Sequence, residues 1–190
     1  MKTIIAGLFL SLLFTWGCET RTFQYLSNVN KVVEFTINQQ GAFTESKTIY
    51  ASEINSELDL PANAEVRNVF IEAFSIKVEI LQGNQADEIK FDGFSQSEND
   101  NTQTEFLRDA IVPIDITTQD FIKLAFLVND GIDVIRDDIE GFVVDGIPAF
   151  IIFTITGDTS PNPGQTIYAN VSIQISLAVA YDLETEFIRG

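Results

Sequence analysis

From Gln165 to Asp182 the chain alternates between two kinds of residue without a slip. Ile167, Ala169, Val171, Ile173, Ile175, Leu177, Val179 and Tyr181 fall on one face, and Tyr168, Asn170, Ser172, Gln174, Ser176, Ala178 and Ala180 on the other. Successive side chains of a strand point to opposite faces, so a period of two marks a strand with one face buried. β-Branched residues dominate the apolar face, as a packed, pleated surface favours. The run spans about 50 Å at the usual rise per residue, where an ordinary strand has only about five or six residues. A strand of that length is expected to bulge or bend.

The same period recurs elsewhere. Between Val69 and Leu81, Phe70, Phe74, Ile76, Val78 and Ile80 share a face opposite Ala73, Ser75, Lys77 and Glu79, with Glu72 interrupting the apolar set. Lys31 to Ile37 aligns Val33, Phe35 and Ile37, while Phe43–Ala51 and Ile89–Phe94 are weaker strands. Phe121–Val128 and Ile147–Thr156 are apolar on both faces, which predicts central, covered strands. Pro148 then belongs at the start of its strand. Ser52–Leu58 predicts a short helix capped by its serine and stopped before Pro61. Thr104–Ile111 reads as a helical turn or a strand, and Gly131–Glu140 as a short helix or a bulged strand. Ser95–Thr104 is a polar loop, and Gly157–Gly164 is a turn joining two strong strands as a hairpin. Strands separated by turns, with no βαβ rhythm, predict an all-β fold: a mostly antiparallel β-sandwich with one or two short helices. Residues 31–190 form its single domain. A transmembrane barrel needs many more alternating strands than these.

Composition removes several functions. The chain has 11 Lys+Arg against 28 Asp+Glu, a net charge of −17, with no His and one Cys. Such acidity repels phosphate, so nucleic acid is not a partner. Imidazole catalysis and Cys–His nucleophile chemistry lack their residues. No G-x-S-x-G elbow or phosphate-cradling glycine loop occurs.

The N-terminus carries the clearest address. Lys2 is followed by an apolar run from Ile4 to Phe14, then Thr15-Trp16-Gly17-Cys18 and a polar stretch. Charge, then a short apolar region, then a small residue is the order of a secretory signal. The run is shorter than the roughly 20 apolar residues of a membrane span. Gly17-Cys18 after this region resembles the lipobox of bacterial lipoproteins, with Thr15 and Trp16 where that family prefers leucine and a small residue. The resemblance covers about 20 residues. It implies that 1–17 is a signal peptide, that Cys18 is acylated as the new N-terminus, and that the protein is anchored in the cell envelope. Glu19 is not the aspartate of the inner-membrane retention signal, which favours the outer membrane. The chemistry agrees, because a lone cysteine in an exported chain has no disulfide partner and acylation caps it. Residues 18–30 are then expected as a lipidated tether.

Removal of 1–17 takes Lys2 and Trp16 with it, leaving 10 Lys+Arg against 28 acids, or −18, and no tryptophan. The abundant reactive groups left are carboxylates. Asp130, Asp133, Asp137, Asp138, Glu140 and Asp145 lie close together, with Gly131 and Gly146 for turns, and suggest calcium, although no EF-hand spacing is present. No other cofactor is expected. Two acids suffice for a glycosidase, but nothing marks a pair. Phe70, Phe74, Phe121, Phe126, Phe150 and Phe153 read chiefly as core, and otherwise as the lining of a lipid cavity. The expectation is a membrane-anchored, non-catalytic binding or scaffolding module with an envelope protein partner. The alternatives are a carboxylate-dependent hydrolase and a carrier of a hydrophobic ligand. Cys18→Ala is expected to abolish acylation and membrane partitioning, read by mass spectrometry and fractionation; an acylated Cys18→Ala protein refutes the assignment. The processed wild type should emit only as tyrosine.

Overall fold

A computed structural model describes residues 18–98, 100, 102–114, 117 and 120–188, with side chains described from 21 to 184 within that set. Residues 1–17, expected as a signal peptide, lie outside the described residues, as does the side chain of Cys18. Eight strands and two helices follow in the order β1 (Cys18–Gln40), β2 (Phe43–Tyr50), α1 (Ala51–Leu58), β3 (Ala64–Ile80), β4 (Glu88–Ser97), β5 (Thr104–Pro113), β6 (Ile122–Lys123), α2 (Asn129–Val144), β7 (Phe150–Ser160) and β8 (Thr166–Ile188). They form two antiparallel sheets, with order β1-β8-β3-β6 in sheet 1 and β2-β7-β4-β5 in sheet 2. The chain crosses between sheets at almost every connection, and only β4 and β5 are a hairpin. That strand order defines an eight-stranded jelly-roll β-sandwich.

The alternating run at the C-terminus is β8, and its apolar set is the floor of the core: Ile167, Ala169, Val171, Ile173, Ile175, Leu177 and Val179 are all buried. β8 pairs with β1 from Cys18↔Ile188 to Gln40↔Thr166 in unbroken register. The expected irregularity lies in its other neighbour. β3 shifts register against β8 at Val66/Asn68 and again at Ile71/Ala73. The second shift reverses the phase of β3 at Glu72, so Val69 is buried before it and Phe74, Ile76 and Val78 after it, while Phe70 is 45 % exposed. Phe70 therefore does not share the face of Phe74. Across the sandwich, Phe74 of sheet 1 meets Phe106, which meets Phe153, at ring separations of 5.5 and 5.7 Å. These offset and edge-on contacts join the two sheets at the centre.

Four expectations are corrected. The turn after β7 is not a hairpin, because β7 and β8 belong to different sheets; Asp158 Oδ1 accepts from the N–H groups of Thr159 and Gly164 and closes an arch between them. The segment 121–128 is not a covered strand. Ile122 and Lys123 pair with β3, Leu127 makes a single bridge to Leu107 of β5, and Ile122 and Phe126 are each 54 % exposed at the sandwich edge. Helix α1 does not start on a serine cap: β2 runs straight into it, and the Ala51 N–H donates to the Ala149 carbonyl at 2.9 Å. Residues 18–30, expected as a tether, are the first half of β1. Thr104–Ile111 resolves as strand β5 and Gly131–Glu140 as part of helix α2.

Lys31 fixes α1 to sheet 1. It points inward from β1 and is only 9 % exposed. Its Nζ lies 2.7 Å from Glu53 Oε2 and 2.8 Å from Glu57 Oε1, both on α1. Burial alone lowers the ammonium pKa, but the two hydrogen bonds and negative charges outweigh it and hold it above the ordinary lysine value. A raised pKa means that the linkage stabilises the fold below the unfolded value and fades as pH rises through the folded one. Lys31→Ala leaves two carboxylates facing each other and a cavity, and is expected to cost about 1–3 kcal/mol in urea unfolding at neutral pH, since both partners are partly solvated. The difference between wild type and variant should narrow as pH rises through the folded-state pKa of Lys31.

Candidate functional site

The outer face of sheet 1 collects the polar half of each alternating strand. The register sets side chains in rows: Asn28, Ala178 and Phe70; Asn30, Ser176 and Ala73; Val32, Gln174 and Ser75; Glu34, Ser172 and Lys77; Thr36, Asn170 and Glu79. Hydrogen bonds tie these rows together. Ser176 Oγ donates to Asn30 Oδ1 at 2.8 Å. Thr36 Oγ1 donates to Asn170 Oδ1 at 2.9 Å, and Asn170 Nδ2 donates to Glu79 Oε2 at 3.1 Å, which orients that carboxylate.

At the charged rows the face becomes a groove of about 580 Å³, lined by Val32, Glu34, Lys77, Glu79, Thr117, Phe121 and Ser172. Its far wall is held down where the Ile80 N–H donates to Thr117 Oγ1 at 3.1 Å. Among the described residues, neither Glu34 nor Lys77 has an ion-pair partner, and both line the groove. Two carboxylates, an ammonium and a hydroxyl on the sheet, with Thr117 and Phe121 from the segment before β6, can bind a polar ligand that both donates and accepts hydrogen bonds.

The acids singled out from the sequence lie elsewhere. Asp130, Asp133, Asp137 and Asp138 are on α2, and Asp145 is its C-cap. A helix spreads them around its axis, where a calcium loop would fold their oxygens inward. Arg136 takes two of them, with Nη1 2.6 Å from Asp133 and Nη2 2.8 Å from Asp137. Among the described residues no group of three or more His, Cys, Asp or Glu side chains is placed to hold a metal ion. An apolar hollow between β5 and residues 122–126, lined by Ile76, Ala110, Ile111, Ile122, Leu124 and Phe126 among others, holds about 140 Å³. That is well under the roughly 300 Å³ of a small ligand pocket. Phe74 and Phe153 are core as expected, whereas Phe70 and Phe126 are exposed and Phe121 lines the groove. β1 begins at Cys18, opposite Ile188. Among the described residues no helix is long and apolar enough to cross a membrane.

No protein-family model and no curated protein matches the chain. Solved structures that resemble it include Turnip Yellow Mosaic Virus, at 12% identity over 90% of this chain and 98% of that one, with a TM-score of 0.38. The BFDV capsid protein in its decameric form resembles it at 15% identity over 84% of this chain and 99% of that one, TM-score 0.35. Desmodium yellow mottle tymovirus does so at 6% identity over 92% and 93%, TM-score 0.31. The jelly-roll assignment rests on the strand order itself.

Asp138 is a partly buried carboxyl on α2. Burial raises its pKa, the Ser97 hydrogen bond partly offsets this, and the charges of Asp137 and Asp100 add to it. Its Oδ2 has no hydrogen-bond partner. The folded state therefore holds a proton that the unfolded state has lost, and stability falls as pH rises through that window. Asp138→Asn should raise Tm near pH ~7 and leave it unchanged near pH ~3, where both states are protonated. An equal shift at both pH values in a thermal melt disproves this account.

Proposed function

We propose that the protein is a non-catalytic binding module of the bacterial envelope, held to a membrane through Cys18, which presents the groove of sheet 1 to a hydroxyl-rich ligand of the polysaccharide class. The observation that carries the reading is the groove, where charged and polar side chains of β1, β8 and β3 converge. Carboxylates accept from ligand hydroxyls, Lys77 donates to them, and the ring of Phe121 supplies an apolar wall for the ring face of a sugar. Strands β1 and β3 carry Glu34, Lys77 and Glu79, which suits recognition with little ordering cost of those groups. Immobilised envelope polysaccharide should retain the wild type, and Glu34→Ala and Lys77→Ala should each weaken retention about tenfold, the worth of one charged hydrogen bond. Retention that both substitutions leave untouched sinks the groove assignment.

A hydrolase is the second reading, favoured by one observation: Glu34 and Glu79 line the same groove, and Asn170 orients Glu79. In that case Glu79→Gln abolishes release of reducing ends from the polysaccharide while binding persists.

A further inference from the structure

Sheet 1 outruns sheet 2. β1 and β8 are each 23 residues long, whereas β2 has 8 and β7 has 11. Helix α1 extends the cover only to Ser27, whose hydroxyl donates to the Leu58 carbonyl at 3.2 Å. Beyond that point, toward Cys18 and Ile188, the sheet continues as an overhanging ribbon. The face that buries Val29, Val33 and Phe35 further along now carries Phe23 opposite Leu183 and Tyr25 opposite Tyr181. Phe23 is 39% exposed and Tyr25 43% exposed, and the rings of Tyr25 and Tyr181 stack at 5.6 Å. Val66, paired with Tyr181, extends the patch onto β3.

Position and composition together say what this patch meets. Cys18, the first residue of β1, lies five residues before Phe23, about 17 Å along a strand. In the sequence it follows almost directly on the apolar run Ile4–Phe14. Whether that run or acyl chains on Cys18 enter the bilayer, the embedded group is joined to the ribbon tip. A ribbon standing upright would hold the aromatic patch in water above the lipid; a ribbon lying down buries it. Tyrosine, with an apolar ring and a polar tip, suits the headgroup layer. The charge of the processed chain disfavours anionic lipid and leaves zwitterionic headgroups as the surface.

We propose that the ribbon lies against the membrane with Phe23, Tyr25 and Tyr181 in the headgroup layer, an inference that rests on Cys18 as the anchor. The processed, acylated protein has no tryptophan, so a single reporter can be placed at will. Phe23→Trp, Tyr25→Trp and, in the turn at the opposite end, Asn162→Trp are each reconstituted into phosphatidylcholine vesicles brominated high on the acyl chains. Flotation reads the anchor and quenching reads the contact. All three should float, and both ribbon reporters should lose about half of their emission while Asn162→Trp stays bright, as for groups seated at the headgroup–acyl boundary. If all float and the ribbon reporters are quenched no more than Asn162→Trp, the inference is overturned while the anchor stands. If none floats, the anchoring reading fails and the inference falls with it. Two ribbon reporters ensure that a perturbed fold in one does not decide the outcome.

Discussion

The pairing of β8 on both of its edges is the interaction on which the rest of the structure depends. One edge runs against β1 over 23 residue pairs, and the other against β3 from Ala64↔Leu183 to Ile80↔Ala169. These contacts join the ends of the chain to its middle, so the sandwich closes only when the last strand is in place. The alternation of β8 fixes its own register, because a slip of one residue would turn Ile173 and Ile175 out to solvent and Gln174 into the core. Its neighbours inherit that register. β1 follows without a fault, while β3 takes up the mismatch in its two bulges, a device that lets a strand keep pairing while changing which side chains face inward.

From this one strand the two faces of sheet 1 acquire opposite characters. The inner face continues through Phe74 into Phe106 and Phe153 as an apolar core. The outer face is polar. There the rows of amides, hydroxyls and charges are held by cross-strand hydrogen bonds such as Thr36–Asn170–Glu79, so the groove is organised before any ligand arrives. Close approach elsewhere is equally determined: an added Cβ at Gly131 of α2 would meet the Glu105 carbonyl oxygen at 2.1 Å, so only glycine lets the helix rest on β5.

How much of this was legible in the sequence follows from what each segment buries. β8, β7, β2 and β4 have one face in the core, so their alternation or apolar runs mark them. Residues 21–26 of β1 are exposed on both faces of the overhang, and ETRTFQYLSNVN has no period to detect, so it reads as a tether. Phe121–Val128 fails in the other direction: it is apolar on both faces yet lies at an open edge, where composition mimics a covered strand. The lining of the groove was half visible. Ser172, Lys77 and Glu79 fall on the outward face in the alternation pattern, but bringing Glu34 level with Lys77 requires knowing that β8 lies between β1 and β3. Strand order is a property of pairings far apart in sequence, and no local pattern encodes it. The acidic cluster was misleading for a related reason, since proximity along α2 disperses side chains around a helix.

The acidity that stands out in the composition has a structural counterpart in the edge of sheet 1. β1 is an edge strand, and a long edge with free N–H and C=O groups is a template for pairing with another copy. Its outward side chains are largely polar, with Glu34 among them, and a chain of net charge −17 repels its copies at every approach. The part of β1 with the least protection is the stretch from Phe23 to Leu26, where three large apolar side chains are exposed. That stretch is the segment closest to Cys18. Under the membrane-anchored reading proposed above, a lipid surface at the ribbon tip would cover this stretch and keep it from pairing with another strand.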